Sequence, residues 1–291
     1  MDKKQIETLK QKLKQELPNN DFEYLGYGGF SYIFSTIYNE KKSAIKIYKK
    51  KENFKISELP FIVENVDLTK IKHPNLMEVY EVLPSKIIIS EYCGEIDLEK
   101  KINNFSTKSL EKNLIAFWDL MKAVKYLTEN NLAHTDLKPE NIIFQKHKNN
   151  PKIIDYDTIQ EINNKINYNQ IFCTLQFSAP EIMSFENANP KTDVFSLGAI
   201  LYFIVQKKEA FEEELTKKKE ESTYDVLDNR YFETFNEKLS YKNIHMINDK
   251  IIEELLNKIR IREPSERIDI DNAMDMYESA MPDKIKKKLN V

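Results

Sequence analysis

Within the stretch Leu132-Ala133-His134-Thr135-Asp136-Leu137-Lys138-Pro139-Glu140-Asn141-Ile142-Ile143-Phe144, a carboxylate, a cation and an amide fall inside six residues: Asp136, Lys138 and Asn141. That trio suits a site that orients a hydroxyl, neutralises a phosphate and holds a metal, whereas a solvated loop carries the same residue types by chance. The chance reading weakens at Lys152-Ile153-Ile154-Asp155, where a lone acid ends an apolar strand. Hard cations such as Mg²⁺ take oxygen ligands, and Asn141 with Asp155 offers an amide carbonyl and a carboxylate.

Upstream, Ala44-Ile45-Lys46-Ile47 sets a lysine in the middle of an apolar strand. Lysine is rarely buried without a counter-charge, so a carboxylate or phosphate is expected beside Lys46, the bland alternative being an edge lysine reaching water. Glu64 precedes the break His73-Pro74-Asn75 and can reach back to Lys46, but several acids share that segment and spacing alone does not choose it. Earlier still, Leu25-Gly26-Tyr27-Gly28-Gly29-Phe30-Ser31 clusters glycines at a hairpin tip, where backbone N–H groups can approach phosphate oxygens. Taken by itself this is equally a glycine-rich turn with no ligand.

These residues need elements to position them. Residues 1–17 place Ile6, Leu9, Leu13 and Leu17 on one side of a charged helix that Pro18 ends, and docking on the neighbouring lobe is expected over partner binding. From Asp21 to Glu91 the pattern is β-like over Tyr32–Tyr38, Lys42–Tyr48 and Ile87–Ser90, with a helical segment over Glu58–Ile71. After Glu95 the periods are helical, over Lys112–Glu129, Val194–Val205 and Lys250–Ile259. A surface segment at Lys217–Tyr231, dense in charge and without apolar period, is expected to be mobile. The chain thus divides into an N-terminal helical extension (1–20), a small β-rich lobe with one main helix (21–92) and a larger, mostly α-helical lobe (93–291).

Composition narrows the partners. The 291 residues carry 44 Lys+Arg against 47 Asp+Glu, so no global basic field favours nucleic acid. The longest apolar stretch, Leu197–Val205, is far short of the roughly 20 residues of a spanning helix, so no membrane span is expected. Cys93 and Cys173 lack partners at metal-ligand spacing, and the first twenty residues do not read as a secretory signal. A reducing, cytoplasmic setting is expected.

Taken in order, these landmarks resemble the eukaryotic protein kinase family, over Asp21 to about Met274. The likeness rests on the glycine loop, the strand lysine Lys46, Glu64 ahead of His73-Pro74-Asn75, Asp136…Lys138…Asn141, Asp155 and Ala179-Pro180-Glu181. Asp193-Val194-Phe195-Ser196-Leu197-Gly198 matches the family's central helix, and Glu263-Pro264-Ser265-Glu266-Arg267 its late arginine motif. The resemblance implies an α+β, bilobal protein-kinase-like fold using ATP and Mg²⁺, with Mn²⁺ as an alternative. It implies that Gly26, Gly28 and Gly29 cover the phosphates, that Glu64 holds Lys46 against the α- and β-phosphates, and that Asn141 and Asp155 bind the metal. Asp136 would orient the substrate hydroxyl and Lys138 steady the γ-phosphate. Ser90-Glu91-Tyr92-Cys93 resembles the hinge, with backbone groups of Glu91 and Cys93 on adenine. Ile33, Ala44 and Ile143 would sandwich the base, although core packing explains these apolar residues equally, and Asp97 would sit near the ribose. Glu181 and Arg267 would form a structural ion pair. The Asp136-Leu137-Lys138-Pro139-Glu140-Asn141 form and Thr174 resemble Ser/Thr kinases, implying protein Ser/Thr hydroxyls as substrate.

Three positions depart from the pattern. Thr135 stands where an arginine usually precedes the catalytic aspartate and receives an activation-segment phosphate, and no Ser or Thr occurs between Ile159 and Cys173, though Tyr168 does. Both absences predict activity without activation-segment phosphorylation. Asp155-Tyr156-Asp157 replaces Asp-Phe-Gly, which predicts a stiffer metal loop because Asp157 lacks glycine's backbone freedom. Ser31 replaces the third loop glycine. Ser90 predicts a roomy space behind adenine, unless Leu68 or Met77 fills it. The leading reading is an active protein Ser/Thr kinase. A kinase-fold pseudoenzyme acting as a scaffold is the alternative, and a small-molecule or lipid kinase a third, against which Thr174 and Ala179-Pro180-Glu181 argue. Oligomeric state is not set by the sequence.

Overall fold

A computed structural model describes residues 2–49, 66–85, 87–103, 107–144, 150–163, 176–184, 186–206 and 248–289. Helix α1 (Lys3–Glu16) begins with a reciprocal capping box: Asp2 accepts from the Gln5 amide at 2.8 Å and Gln5 accepts from the Asp2 amide at 3.3 Å. Strands β1 (Glu23–Tyr27), β2 (Ser31–Tyr38), β3 (Lys41–Tyr48), β4 (Val79–Val82) and β5 (Ile87–Glu91) form a five-stranded antiparallel sheet in the order β1-β2-β3-β5-β4. One face of that sheet carries Phe34, Ile45, Ile47 and Ile87, and α1 closes over it with Leu13, which is fully buried. The stripe read at Ile6, Leu9, Leu13 and Leu17 is therefore a docking face for the chain's own sheet. Leu13→Ala is expected to cost about 2–5 kcal/mol, the sum of lost transfer free energy and a residual cavity, measurable by urea unfolding. A change below about 1 kcal/mol would show that the sheet does not need its cover.

Of the helical segment expected over Glu58–Ile71, the described part holds a single 3₁₀ turn, Leu68–Lys70. Glu64, with residues 58–65 of that segment, lies outside the described residues, as do Tyr168, Cys173, Thr174 and the segment Lys217–Tyr231.

The second lobe begins with β6 (Ile96–Asp97), α2 (Leu98–Asn103) and α3 (Thr107–Glu129). Three short strands follow: β7 (Leu132–Ala133), β8 (Ile142–Phe144) and β9 (Pro151–Ile153). Strand β10 (Gln160–Glu161) pairs with β7, while β6, β8 and β9 make a three-stranded sheet. Helices α4 (Pro180–Met183), α5 (Thr192–Gln206), α6 (Asp249–Ile259), α7 (Ile270–Ala280) and α8 (Asp283–Leu289) complete the described residues. Helix α5 is buried along nearly its whole length and packs on α3 and α6. At Gly198 an added Cβ would lie 2.3 Å from Ile259 Cγ2, so the α5–α6 approach requires glycine. Arg267 and Glu181 form a bidentate pair, both contacts at 2.8 Å, which joins the segment after α6 to α4. Among the described residues no helix is long and apolar enough to cross a membrane.

Candidate active site

Side chains alternate along β3, so Ile45 and Ile47 face the α1 side while Ala44, Lys46 and Tyr48 take the other. Opposite them on that second face stand Ile33, paired with Lys46, and Ser90, paired with Ala44. Ile33, Ala44 and Ile143 are each half-buried, whereas Ser90 and Cys93 are buried. Lys46 Nζ leaves this sheet to meet Asp155 Oδ1 at 2.5 Å and Asp157 Oδ2 at 2.6 Å. The counter-charge expected for Lys46 is thus a pair of carboxylates.

Those carboxylates are delivered by the β8–β9 hairpin. Ile142 pairs with Ile153, and the Ile154 amide donates to the Asn141 carbonyl at 2.9 Å, so register alone brings Asn141 beside the residue preceding Asp155. Asp155 adopts φ 68°, a left-handed conformation disfavoured for a residue with a Cβ, while Asp157 is outside that region. The strain therefore sits at Asp155, and the missing glycine at 157 is not needed for this arrangement. Tyr156 is buried and donates to the Met77 carbonyl at 2.8 Å, and the Tyr48 hydroxyl donates to Asp157 Oδ1.

Burial alone would lower the Lys46 pKa, but Asp155 and Asp157 outweigh it and hold the ammonium above its usual value. Burial pushes Asp155 the other way, and Lys46 overrides it, keeping that carboxyl below its ordinary range. For Asp157 burial prevails and pushes the pKa up to about 6, against the pull of Lys46 and of the Tyr48 hydroxyl.

In the loop between β7 and β8, Lys138 Nζ contacts Asp136 Oδ2 at 2.7 Å, and Asn141 Nδ2 donates to the Asp136 carbonyl at 2.9 Å and to Oδ2 at 3.2 Å. The carboxylate, cation and amide read from the sequence therefore touch one another. Asp193, in the first turn of α5, sets the loop's backbone: its carboxylate accepts the His134 amide at 2.6 Å and the Thr135 amide at 2.9 Å. These bonds hold Thr135 at φ 66°, a strained position for a β-branched residue. Sequence reading assigned Asp193 only to a helix, yet an acid opening an otherwise apolar helix needs buried donors and is a usable signal for such an anchor. No comparable signal in the sequence marks Asp157 and Tyr48 as neighbours of Lys46.

The glycines lie where a ligand's approach is open. Gly26 lies within β1, next to its last residue, and Gly28 and Gly29 follow in the turn; none has a positive φ, and a Cβ at Gly26 or Gly29 would meet nothing within 4 Å. Neither backbone conformation nor internal packing thus calls for glycine there, which leaves space above the loop. Lys49 Nζ holds the turn from beneath, donating to the Gly28 carbonyl at 2.5 Å and the Gly29 carbonyl at 3.2 Å. At the junction between lobes, Glu91 Oε2 accepts Lys152 Nζ at 2.7 Å, fixing β5 to β9. Asp97 accepts the Lys100 amide at 2.7 Å and caps the start of α2. Burial pushes the Cys93 thiol up to about 12, which leaves it protonated and unreactive at neutral pH. Away from this centre, a groove of about 530 Å³ beside α1 is lined by Glu7, Lys10, Gln11, Lys14, Asp21 and Phe22, and holds none of the chemistry-bearing residues.

A bilobal arrangement with a five-stranded sheet, a lysine on its third strand meeting an aspartate after a C-lobe hairpin, and a tied Asp–Lys–Asn loop defines the class. The protein kinase domain family matches residues 20–277, and the chain belongs to it. Sperm motility kinase 2B of Mus musculus is 32% identical over 199 residues, covering 65% of this chain and 40% of that protein. The probable serine/threonine-protein kinase fhkE of Dictyostelium discoideum is 28% identical over 222 residues, 69% of this chain and 31% of the relative. Death-associated protein kinase 2 of Mus musculus is 26% identical over 284 residues, covering 92% and 73% respectively. The chain thus spans under half the length of the first two.

Proposed function

We propose that this chain is a protein serine/threonine kinase that transfers the γ-phosphoryl group of ATP to protein Ser/Thr hydroxyls. The carrying observation is the meeting of Lys46 and Asp155, 109 residues apart, at 2.5 Å. Gly26, Gly28 and Gly29 cover the phosphates, Lys46 contacts the α- and β-phosphates, and backbone groups of Glu91 and Cys93 hold adenine between Ile33, Ala44 and Ile143, with Asp97 near the ribose. Asp136 orients the incoming hydroxyl and takes its proton as oxygen bonds to the γ-phosphorus and the bond to ADP breaks, while Lys138 balances charge on the transferred group. Asn141 and Asp155 supply two hard oxygen donors suited to Mg²⁺ or Mn²⁺, and the low pKa of Asp155 keeps its carboxylate ionised for that role. When bound, the ion neutralises phosphate charge. Transfer of labelled γ-phosphate to a generic protein substrate, followed by phosphoamino-acid analysis, tests this reading. Label on serine and threonine supports it, whereas nucleotide binding without transfer would instead indicate a scaffold.

The same reading includes activity without activation-segment phosphorylation. Thr135 Oγ1 donates to the Thr158 carbonyl at 2.8 Å and Thr158 Oγ1 to the His134 carbonyl at 2.9 Å, so neutral hydroxyls bridge the catalytic loop to the start of the segment. No cation at 135 awaits a phosphate. Phosphatase treatment and Tyr168→Phe should each leave turnover unchanged, and loss of turnover in both would overturn the idea. Ser90 faces Ala44 and Val79 across the sheet. With this small residue read as lying behind adenine, an ATP analogue with a bulky N6 substituent should serve as phosphate donor, and Ser90→Met should abolish its use while sparing ATP itself. Equal use of that analogue by both forms would refute the roomy pocket.

A further inference from the structure

We propose that Asp157, seated by Tyr48, is a positioning residue that holds Lys46 in the phosphate path independently of Glu64. This rests on the kinase reading above. An ammonium has three donors, and among the described residues Lys46 gives two of them to carboxylates, Asp155 at 2.5 Å and Asp157 at 2.6 Å. Asp155 is one of the two residues that would hold a divalent ion, which would take up part of that carboxylate's charge; Asp157 is not among the donors assigned to the ion. Its two oxygens are both taken by β3: Oδ2 by Lys46, and Oδ1 by the hydroxyl of Tyr48, two residues further along on the same face of the strand. The Tyr48 ring centroid lies 5.4 Å from Lys46 Nζ, which adds a π face to the same ammonium.

The arrangement is specific. Asp157 and Lys46 side chains are only 13% and 14% exposed, and a carboxylate placed there beside Asp155 is tolerated only with a close cation. A glycine at 157 offers no such group. Lys46 therefore has an anchor within the metal-loop segment itself, in addition to the role that the kinase reading gives Glu64.

The test is a double-mutant cycle over Asp157→Asn and Glu64→Gln, read in two ways: kcat and KM for ATP, and direct binding of ADP with and without Mg²⁺, with thermal unfolding recorded for each form. Redundant anchors predict that either single change weakens kcat/KM by less than about tenfold, whereas the double change loses at least about tenfold more than the product of the singles. ADP affinity should follow the same non-additive pattern, with unfolding temperatures that do not. Tyr48→Phe, which deletes one hydroxyl, should show the same sign of coupling to Glu64→Gln and serves if Asp157→Asn does not fold. Multiplicative effects in both cycles, with wild-type binding and transfer intact, would overturn the anchor and leave the kinase reading standing. A wild type that binds no nucleotide would overturn the kinase reading first.

Discussion

Replacing Asp136 by alanine should lower the rate of γ-phosphate transfer by about 10²-fold or more while leaving ADP affinity close to that of the wild type. The carboxylate is the acceptor toward which Lys138 and Asn141 both point, at 2.7 and 3.2 Å, so its removal deletes the hydroxyl's orienting group. The loop itself should survive, because its backbone is held from below by Asp193 through the His134 and Thr135 amides and not by the Asp136 side chain. Asp136→Asn preserves shape and removes the proton acceptor, and should fall as far. Lys46→Met provides the contrast: it removes a phosphate contact, so rate and nucleotide affinity should drop together. Initial rates on a protein substrate, paired with direct ADP binding, separate the two cases. An Asp136→Ala protein as active as wild type would remove the residue from the chemistry, provided the signal tracks with the purified chain.

The parts of the fold that the sequence discloses are those whose surroundings leave a pattern. Strands β2, β3 and β5 alternate or run apolar because both their flanks are paired, and they appear within a residue or so of the expected spans. Strands β1 and β4 are the two edges of the sheet, and neither leaves such a signal: β1 alternates between exposed and half-buried residues, and β4 is interrupted by a register shift. Helix α7 buries Ile270, Ala273, Tyr277 and Ala280 behind the N-cap Asp269, but two alanines in the stripe dilute its period. At the site, Lys46, Asp136, Lys138, Asn141 and Asp155 are legible because each is a polar residue in an apolar or turn context. The partnership of Lys46 with Asp157 is not, since it joins β3 to the segment after β9, two stretches far apart in the chain. A departure from a family pattern shows that a residue is unusual; only three-dimensional packing shows what it touches.

Arg267→Ala is expected to destabilise the chain by about 3–5 kcal/mol, because the pair it breaks is buried on both sides. Arg267 is 1% exposed and Glu181 3%. The guanidinium's five donors are all used: two on Glu181 at 2.8 Å, and one each on the carbonyls of Ile261 at 2.9 Å, Lys191 at 2.9 Å and Arg262 at 3.0 Å. Glu181 is further held by Thr192 Oγ1 at 2.8 Å and Asn189 Nδ2 at 3.0 Å, so after truncation its carboxylate stays in place, desolvated and without its cation. Arg267→Lys should recover little, since a point charge cannot reproduce the fork. In the wild type burial pushes the Glu181 pKa up, but Arg267 outweighs it and the value lies below the ordinary carboxylate range. A lowered folded pKa contributes stability that is present above the unfolded value and lost as pH falls through the folded one. In Arg267→Ala the main opposing interaction is gone and burial is countered only by the Thr192 hydroxyl and a backbone hydrogen bond, so protonation of the orphaned carboxyl becomes more favourable. The unfolding temperature of the variant should accordingly lie on the order of 10 °C below wild type near neutrality, with the gap narrowing as acid neutralises Glu181. A gap that stays constant with pH would place the loss in the three carbonyl contacts and not in the ion pair.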